Sequence, residues 1–225
     1  MNRVQWFKAS WQSPRSLKQR MLTSQYTSEI GEGFILNSAT LNSISGRYVN
    51  SNVIVEEIRD PFGRVEMSER KNFEYIDFVF SGESFQLIEI INPGRCIRKF
   101  VTAISQLDSF GVTIEKFEIS PIDFLCNIES LGVSVLFAKQ LELSDIGVSE
   151  GISAKMCLKG NIDIKDYSDY LNLPSDHCLT KLLVAVKYAG FAGDIEISRR
   201  AKIKIDKSFS PILMPVISDL MLSTI

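Results

Sequence analysis

Apolar and polar residues alternate with a period of two along much of this chain, a pattern typical of strands that are buried on one face. It is clearest at 74–80, where Ile76, Phe78 and Phe80 fall on one side of an extended segment. The segment 60–63, Asp-Pro-Phe-Gly, predicts a hairpin turn, because proline fixes φ and glycine accepts a positive φ. Further strands are predicted at 52–58, 65–68, 85–91, 112–119, 133–143, 152–158, 179–188 and 194–205.

A helical period replaces the strand period at 95–107. Ile97, Phe100 and Ile104 form one apolar stripe there, with basic and polar residues on the other side. A shorter helix is predicted at 121–129, with Ser120 as its N-cap and Pro121 at its first position. One or two helical turns are predicted at 167–173. We therefore expect an α+β fold, with mainly antiparallel sheet and one principal amphipathic helix packed on one face.

The length and composition of the chain suit one compact domain. Of its 225 residues, 45% are apolar, which is enough to bury a core without disulfides or metals. Residues 145–151 are polar and include two glycines, so an alternative is two packed lobes, 1–146 and 147–225. The apolar segment 216–225 has the spacing of a short amphipathic helix that docks on the core or on a partner.

Cysteine usage and hydropathy indicate a cytoplasmic protein without membrane contact. Cys96, Cys126, Cys157 and Cys178 show no CxxC motif and no zinc-finger spacing with histidine, so reduced thiols are expected. No apolar stretch approaches the roughly 20 residues that a membrane-spanning helix needs. We expect no metal and no cofactor.

Histidine-based catalysis would have to use His177, the one histidine of the chain. Its neighbour Cys178 points to the opposite side of an extended segment, so a solvated loop histidine is the favoured interpretation. The cluster Gly31-Glu32-Gly33 lacks the third glycine of a dinucleotide-binding motif, and no GK[ST] follows it. Residues 92–95 read as a strand-to-helix turn that could also offer backbone N–H groups to an anion.

A pair of carboxylates on consecutive predicted strands is the remaining enzymatic pattern. Asp77 and Glu89 resemble the acidic part of a magnesium-dependent nuclease site, but Ile90 and Ile91 stand where a lysine would be needed. The pattern is therefore incomplete.

The basic residues indicate binding rather than catalysis. Residues 1–28 contain five of the 25 basic residues and none of the 27 acidic ones, interleaved with two tryptophans. Cations neutralise phosphates and exposed aromatic rings stack on bases, so a nucleic-acid surface is predicted. Its candidate residues are Arg3, Trp6, Lys8, Trp11, Arg15, Lys18, Arg20, Arg199, Arg200, Lys202 and Lys204. The competing interpretation is that the tryptophans are core residues and the cations solvate a strand.

The sequence thus favours a non-catalytic binding component of a larger assembly. It would contact another protein and, through the basic aromatic N-terminus, nucleic acid. The alternatives are a divergent magnesium-dependent nuclease or phosphoryl-transfer enzyme at Asp77 and Glu89, and a purely structural subunit.

Overall fold

Strands dominate the computed structural model, which describes residues 1–94, 96–162 and 177–225. The strands are β1 (Asn2–Ser10), β2 (Glu32–Ala39), β3 (Ser43–Arg59), β4 (Val65–Ser81), β5 (Leu87–Ile91), β6 (Thr113–Lys116), β7 (Ser134–Ser149), β8 (Ile152–Ile162), β9 (Cys178–Tyr188), β10 (Phe191–Ser198) and β11 (Lys202–Ile205). The helices are α1 (Leu17–Thr23), α2 (Ile97–Leu107), α3 (Pro121–Ser130) and α4 (Ser210–Ser223), with a 3₁₀ turn at Pro14–Ser16 before α1. Arg95 and the helical turns predicted at 167–173 lie outside the described residues.

The expected α+β fold with one principal helix at 95–107 is wrong. Strands hold more than half of the described residues and helices less than a quarter, and the strand pairings within the two compact units of the chain are mainly antiparallel. The helix α2 is present and buries Phe100 and Ile104, but it is one of four short helices in the described part of the chain. The C-terminal helix α4 is longer, with 14 residues against 11 in α2. Pro211 is tolerated in its first turn because the N–H that proline lacks would have no partner within the helix there.

Two of the strand predictions also need correction. The segments 65–68 and 74–80 are parts of one 17-residue strand, β4, which pairs with β3 along its whole length from Ser43↔Ser81 to Arg59↔Val65. The segment 194–205 is two strands joined by a turn at 199–201, where Ala201 has φ 45°. Isoleucines pair across this turn, Ile197 with Ile203, so the period of two continues through it and hides the reversal.

The chain divides into two units, which we call unit 1 and unit 2. Unit 1 comprises Met1–Lys8 and Glu115–Ile225, and unit 2 comprises Ala9–Ile114. The division into lobes 1–146 and 147–225 stays a prediction. Residues 145–151 themselves form the end of β7 and the turn into β8, where Gly147 pairs with Ser153.

Unit 2 contains the strand order β2-β3-β4-β5, all antiparallel, together with α1 and α2. Its core is aromatic. Phe34, Tyr48, Phe78, Phe80 and Phe100 are at most 2% exposed, and their ring centroids lie 5.0 to 6.0 Å apart in successive pairs. Tilted and edge-on ring pairs of this kind add to the burial of their area.

Unit 1 contains the strand order β1-β11-β10-β9-β7-β8. One side of these strands is apolar and buried, as shown by Val4, Ile203, Ile197, Leu182 and Leu141 in adjacent positions. Helices α3 and α4 also pack by apolar residues, and Ser120 caps α3 by accepting a hydrogen bond from the Asp123 N–H. The opposite side of the strands is polar. None of the described helices is long and apolar enough to cross a membrane.

Candidate binding surfaces

The two N-terminal tryptophans are packed against protein. Trp6, in β1, has no exposed surface, so its ring is not accessible to a base. Trp11 donates from Nε1 to the Phe85 carbonyl at 2.9 Å and meets Phe80 edge to face. Both tryptophans therefore stabilise the fold.

The basic residues of the same segment are divided between the two units. In unit 1, the Lys8 ammonium lies 4.7 Å from the centre of the Phe117 ring. In unit 2, Arg20 pairs with Asp108, and the exposed Lys18 donates to the Ala39 carbonyl at 3.3 Å. Of the predicted nucleic-acid residues, unit 1 contains Arg3, Trp6, Lys8, Arg199, Arg200, Lys202 and Lys204, and unit 2 contains Trp11, Arg15, Lys18 and Arg20.

Unit 1 brings part of the predicted set together on the polar side of its strands, which we call the open face. Arg3 of β1 lies directly opposite Lys204 of β11, and Gln5 lies opposite Lys202. Lys204 is in turn opposite Glu196 of β10. Residues at facing positions of adjacent strands share a side, so cations from both ends of the sequence meet on the open face.

The same rows continue across β9, β7 and β8. Lys181 and Glu142 face each other on β9 and β7, and their charged atoms are 2.7 Å apart. The hydrogen bond to Glu142 raises the pKa of Lys181, so this lysine keeps its charge. Lys159 lies opposite Gln140 at the β8 edge. Of these residues, Lys159 is exposed, and Lys181, Glu142 and Gln140 are half-buried.

A cavity of about 650 Å³ adjoins the open face near the 199–201 turn. Arg199 and Arg200 line it together with Lys155, Glu118 and Asp145. The Arg199 guanidinium is 3.2 Å from the Glu118 carboxylate and donates to the Cys178 sulfur at 2.6 Å. The cavity is therefore polar and carries both charges.

The carboxylate pair considered for magnesium catalysis is engaged differently. Arg47 donates to both oxygens of Asp77, at 2.6 and 3.0 Å, and this contact raises the pKa of Arg47. Glu89 is buried on β5, opposite Val79. Within residues 1–94, 96–162 and 177–225, no group of three histidine, cysteine or acidic residues is placed to hold a metal ion. Asp77 is thus already neutralised by a guanidinium.

The glycine cluster at 31–33 has a structural role. A Cβ added to Gly33, which has φ 152°, would lie 2.5 Å from the Tyr26 backbone nitrogen. Backbone atoms cannot move aside as a side-chain tip can, so glycine is required for β2 to pass the chain at Tyr26. Residues 92–94 join β5 to α2, and Arg95, the cation of the proposed anion site, lies outside the described residues.

Unit 2 also contains a cleft that was not predicted from the sequence. Its volume is about 480 Å³, and Arg20, Glu32, Tyr48 and Gln106 are among the residues that line it. The Tyr48 hydroxyl donates to Glu32 Oε1 at 2.6 Å. Burial, and then the hydrogen bond to Glu32, raises the pKa of Tyr48 above its usual range. Nothing in the spacing of Glu32 and Tyr48 suggests this pair.

Stability at high pH tests the Tyr48 environment. The folded protein holds the phenolic proton above pH 10.0, the ordinary pKa, while the unfolded chain releases it. The stabilisation is therefore complete below that pH and is lost above it. We expect the free energy of unfolding of the wild type, relative to Tyr48→Phe, to fall by about 1.4 kcal/mol per pH unit above that value. Urea titrations of both proteins between neutral and high pH measure the difference, and parallel pH profiles would contradict it.

The longest exposed feature of unit 2 is the outer part of the β3–β4 hairpin. We call residues 51–59, 60–64 and 65–73 the arm. In the described part of the chain, β2 pairs with β3 only up to Asn50, and β5 pairs with β4 only from Asp77, so the arm is a two-stranded ribbon. Its nine residue pairs extend for about 30 Å. The hairpin was predicted, but its length and exposure were not.

On one side of the arm, exposed apolar residues lie among charged ones. The apolar residues come from both strands and are 49–67% exposed: Val53, Val55, Val65, Met67 and Phe73. The register places them on the same side, because Val53 faces Lys71 and Glu57 faces Met67. At the tip, Asp60 accepts from the N–H groups of Phe62 and Arg64 and holds the turn.

A scan against protein-family models and a search of curated proteins both find no match to this chain.

Proposed function

We propose that the protein is a non-catalytic binding component of a larger assembly, and that the arm is its contact with another protein. The exposed apolar residues on one side of the arm carry this proposal. An isolated two-stranded ribbon is only marginally stable in water, and contiguous exposed apolar residues mark interaction surfaces. A partner that covers Val53, Val55 and Met67 would stabilise the ribbon and remove these side chains from water.

The charges of the arm favour a protein as its partner. Residues 51–73 contain four basic and five acidic side chains, so the arm has no excess of cations to attract a polyanion. Some of the charges pair within the arm, as Arg70 does with Glu56 and Arg59 with Glu57. An apolar strip bordered by mixed charges is the usual composition of a protein–protein interface.

We also propose that the assembly lies in the cytoplasm. All four cysteines are free thiols, and Cys126 and Cys157 are exposed. A reducing compartment keeps exposed thiols of this kind from pairing.

Substitutions on the arm test the proposed contact. Threonine keeps strand propensity and removes apolar surface, so Val53→Thr, Val55→Thr and Met67→Thr together should leave the fold intact. We expect the triple variant to bind its partner at least about tenfold more weakly, because three apolar side chains no longer leave water. The tagged chain is added to extracts of the source cells, and the extracts are diluted in steps. At each dilution, the measurement is the fraction of the tagged chain found in a complex larger than the free chain.

A matched control variant shows whether loss of the complex is specific to the arm or follows from any loss of exposed apolar surface. Ile30→Thr, Leu41→Thr and Ile152→Thr remove three apolar residues outside the arm that are 59–91% exposed. This control should leave the complex unchanged. The role of the arm would be refuted if both variants lost the complex equally. It would also be refuted if the wild-type chain formed no larger complex at any concentration.

A further inference from the structure

The open face of unit 1 carries an excess of positive charge. Cations outnumber carboxylates on its strands. The cations include Arg3, Lys139, Lys159, Lys181, Lys202 and Lys204, and the carboxylates include Glu142, Asp194 and Glu196. The chain as a whole has a net charge of −2, so this excess is local.

Local ion pairs use only part of this charge. Glu196 lies 2.6 Å from Lys204, Glu142 lies 2.7 Å from Lys181, and Asp194 lies 2.7 Å from Lys139. Within the described ranges, the ammonium groups of Lys159 and Lys202 have no carboxylate in ion-pair distance. The exposed Arg200, at the cavity beside the same face, adds another cation.

We propose that the open face binds the phosphate backbone of a single-stranded nucleic acid. This goes beyond the proposed function, because the surface lies in unit 1 and takes another class of ligand than the arm does. Cations spaced along adjacent strands, about 4.8 Å apart, can neutralise successive phosphates and release their counterions.

The shape of the face selects single strands. A duplex is read by an element that enters its groove, and the strands that carry these cations offer none. An unpaired base can instead stack on an aromatic ring or enter a pocket. The half-exposed Phe7 follows Arg3 and Gln5 on the same side of β1, and the cavity beside Arg200 is about 650 Å³ in volume.

Fluorescence anisotropy with a labelled, mixed-sequence single-stranded DNA of about 20 nucleotides tests the proposal on the full chain. We expect binding that weakens between about 50 and 200 mM salt with a log–log slope near −3, as for about four phosphate contacts. A duplex of the same length and polyglutamate should both bind at least about tenfold more weakly. No binding at low salt, a slope near zero, or equal binding of the duplex or polyglutamate would overturn it.

Neutral substitutions locate the surface. The variant Lys159→Gln, Arg200→Gln and Lys202→Gln should lose about tenfold or more in affinity and flatten the salt slope by about 2. The control Arg15→Gln, Lys18→Gln and Arg98→Gln removes the same charge from exposed positions of unit 2 and should bind within about twofold of wild type. Equal losses would overturn the assignment to the open face.

These outcomes are independent of those for the arm. The arm variant should bind the oligonucleotide like the wild type, and the open-face variant should retain its place in the protein complex. A single-site version, Lys202→Gln, keeps the test valid if the triple variant unfolds, because its loss of affinity should still exceed that of Lys18→Gln.

Discussion

Replacing Phe100 with alanine is expected to lower the free energy of unfolding by about 4 kcal/mol. Phe100 is fully buried in α2, and its ring lies 5.4 Å from that of Phe78 and 5.7 Å from that of Tyr48, centre to centre. These partners belong to two long paired strands and cannot collapse far into the space left by the ring. The loss therefore combines the transfer free energy of the side chain with the cost of a cavity.

Urea or thermal unfolding, followed by circular dichroism, measures this loss. Phe62→Ala is the matched control, since Phe62 is 90% exposed at the tip of the arm. Its replacement should change the free energy of unfolding by less than about 0.5 kcal/mol. If the two variants were equally stable, the ring cluster would not be the core of unit 2.

The second large effect is expected at Asp108, whose carboxylate is buried in unit 2. Its side chain is 2% exposed and accepts from Arg20 Nη1 at 2.5 Å and from the Gln12 N–H at 2.9 Å. Alanine at this position leaves a guanidinium and a backbone donor without their acceptor. We expect a loss of about 3 kcal/mol, at the lower end for broken buried pairs because Arg20 remains about one-third exposed.

Asp77→Ala provides the comparison for Asp108→Ala. Asp77 also forms a short ion pair with an arginine, Arg47, but both side chains of that pair are more than one-third exposed. An exposed pair contributes about 1 kcal/mol or less, because water and salt screen it. The free energies of unfolding of the two variants, measured by chemical denaturation, should thus differ by about 2 kcal/mol. Equal losses would show that burial of Asp108 does not govern the strength of its contacts.

Local signals predicted local structure correctly. Ile76, Phe78 and Phe80 are buried on one side of β4, and Ser120 caps the helix that begins at Pro121. In each case the information lies within a few residues, in a period or a capping preference. The turn at 60–63 belongs to the same class.

The predictions that failed depended on distant residues. In the arm, residues such as Val55 and Glu56 are exposed on both sides of the ribbon, so the period of two carries no burial signal there. The reversal at Ala201 is hidden because its flanking isoleucines keep the same period. Neither feature could be recognised without the pairing partners.

The binding surface was predicted in part. The sequence singled out Arg3, Lys202 and Lys204, and the register of β1 with β11 brings them together. It also singled out Trp6, which is buried. An aromatic residue of a buried strand and one of an exposed N-terminal segment cannot be told apart in the sequence. Lys159 and Lys181 were missed, since only the β7 pairings place them on the same face.

The pairing of Arg3 with Lys204 has a consequence for how the protein is made. The two residues are about two hundred positions apart, whereas unit 2 is one continuous segment, Ala9–Ile114. During synthesis, unit 2 can close while unit 1 still lacks most of its strands. Strand β1 must stay unpaired with β11 until the ribosome has delivered the latter. Unit 1 therefore completes its folding late, and β1 is the segment that a chaperone would have to protect in the interval.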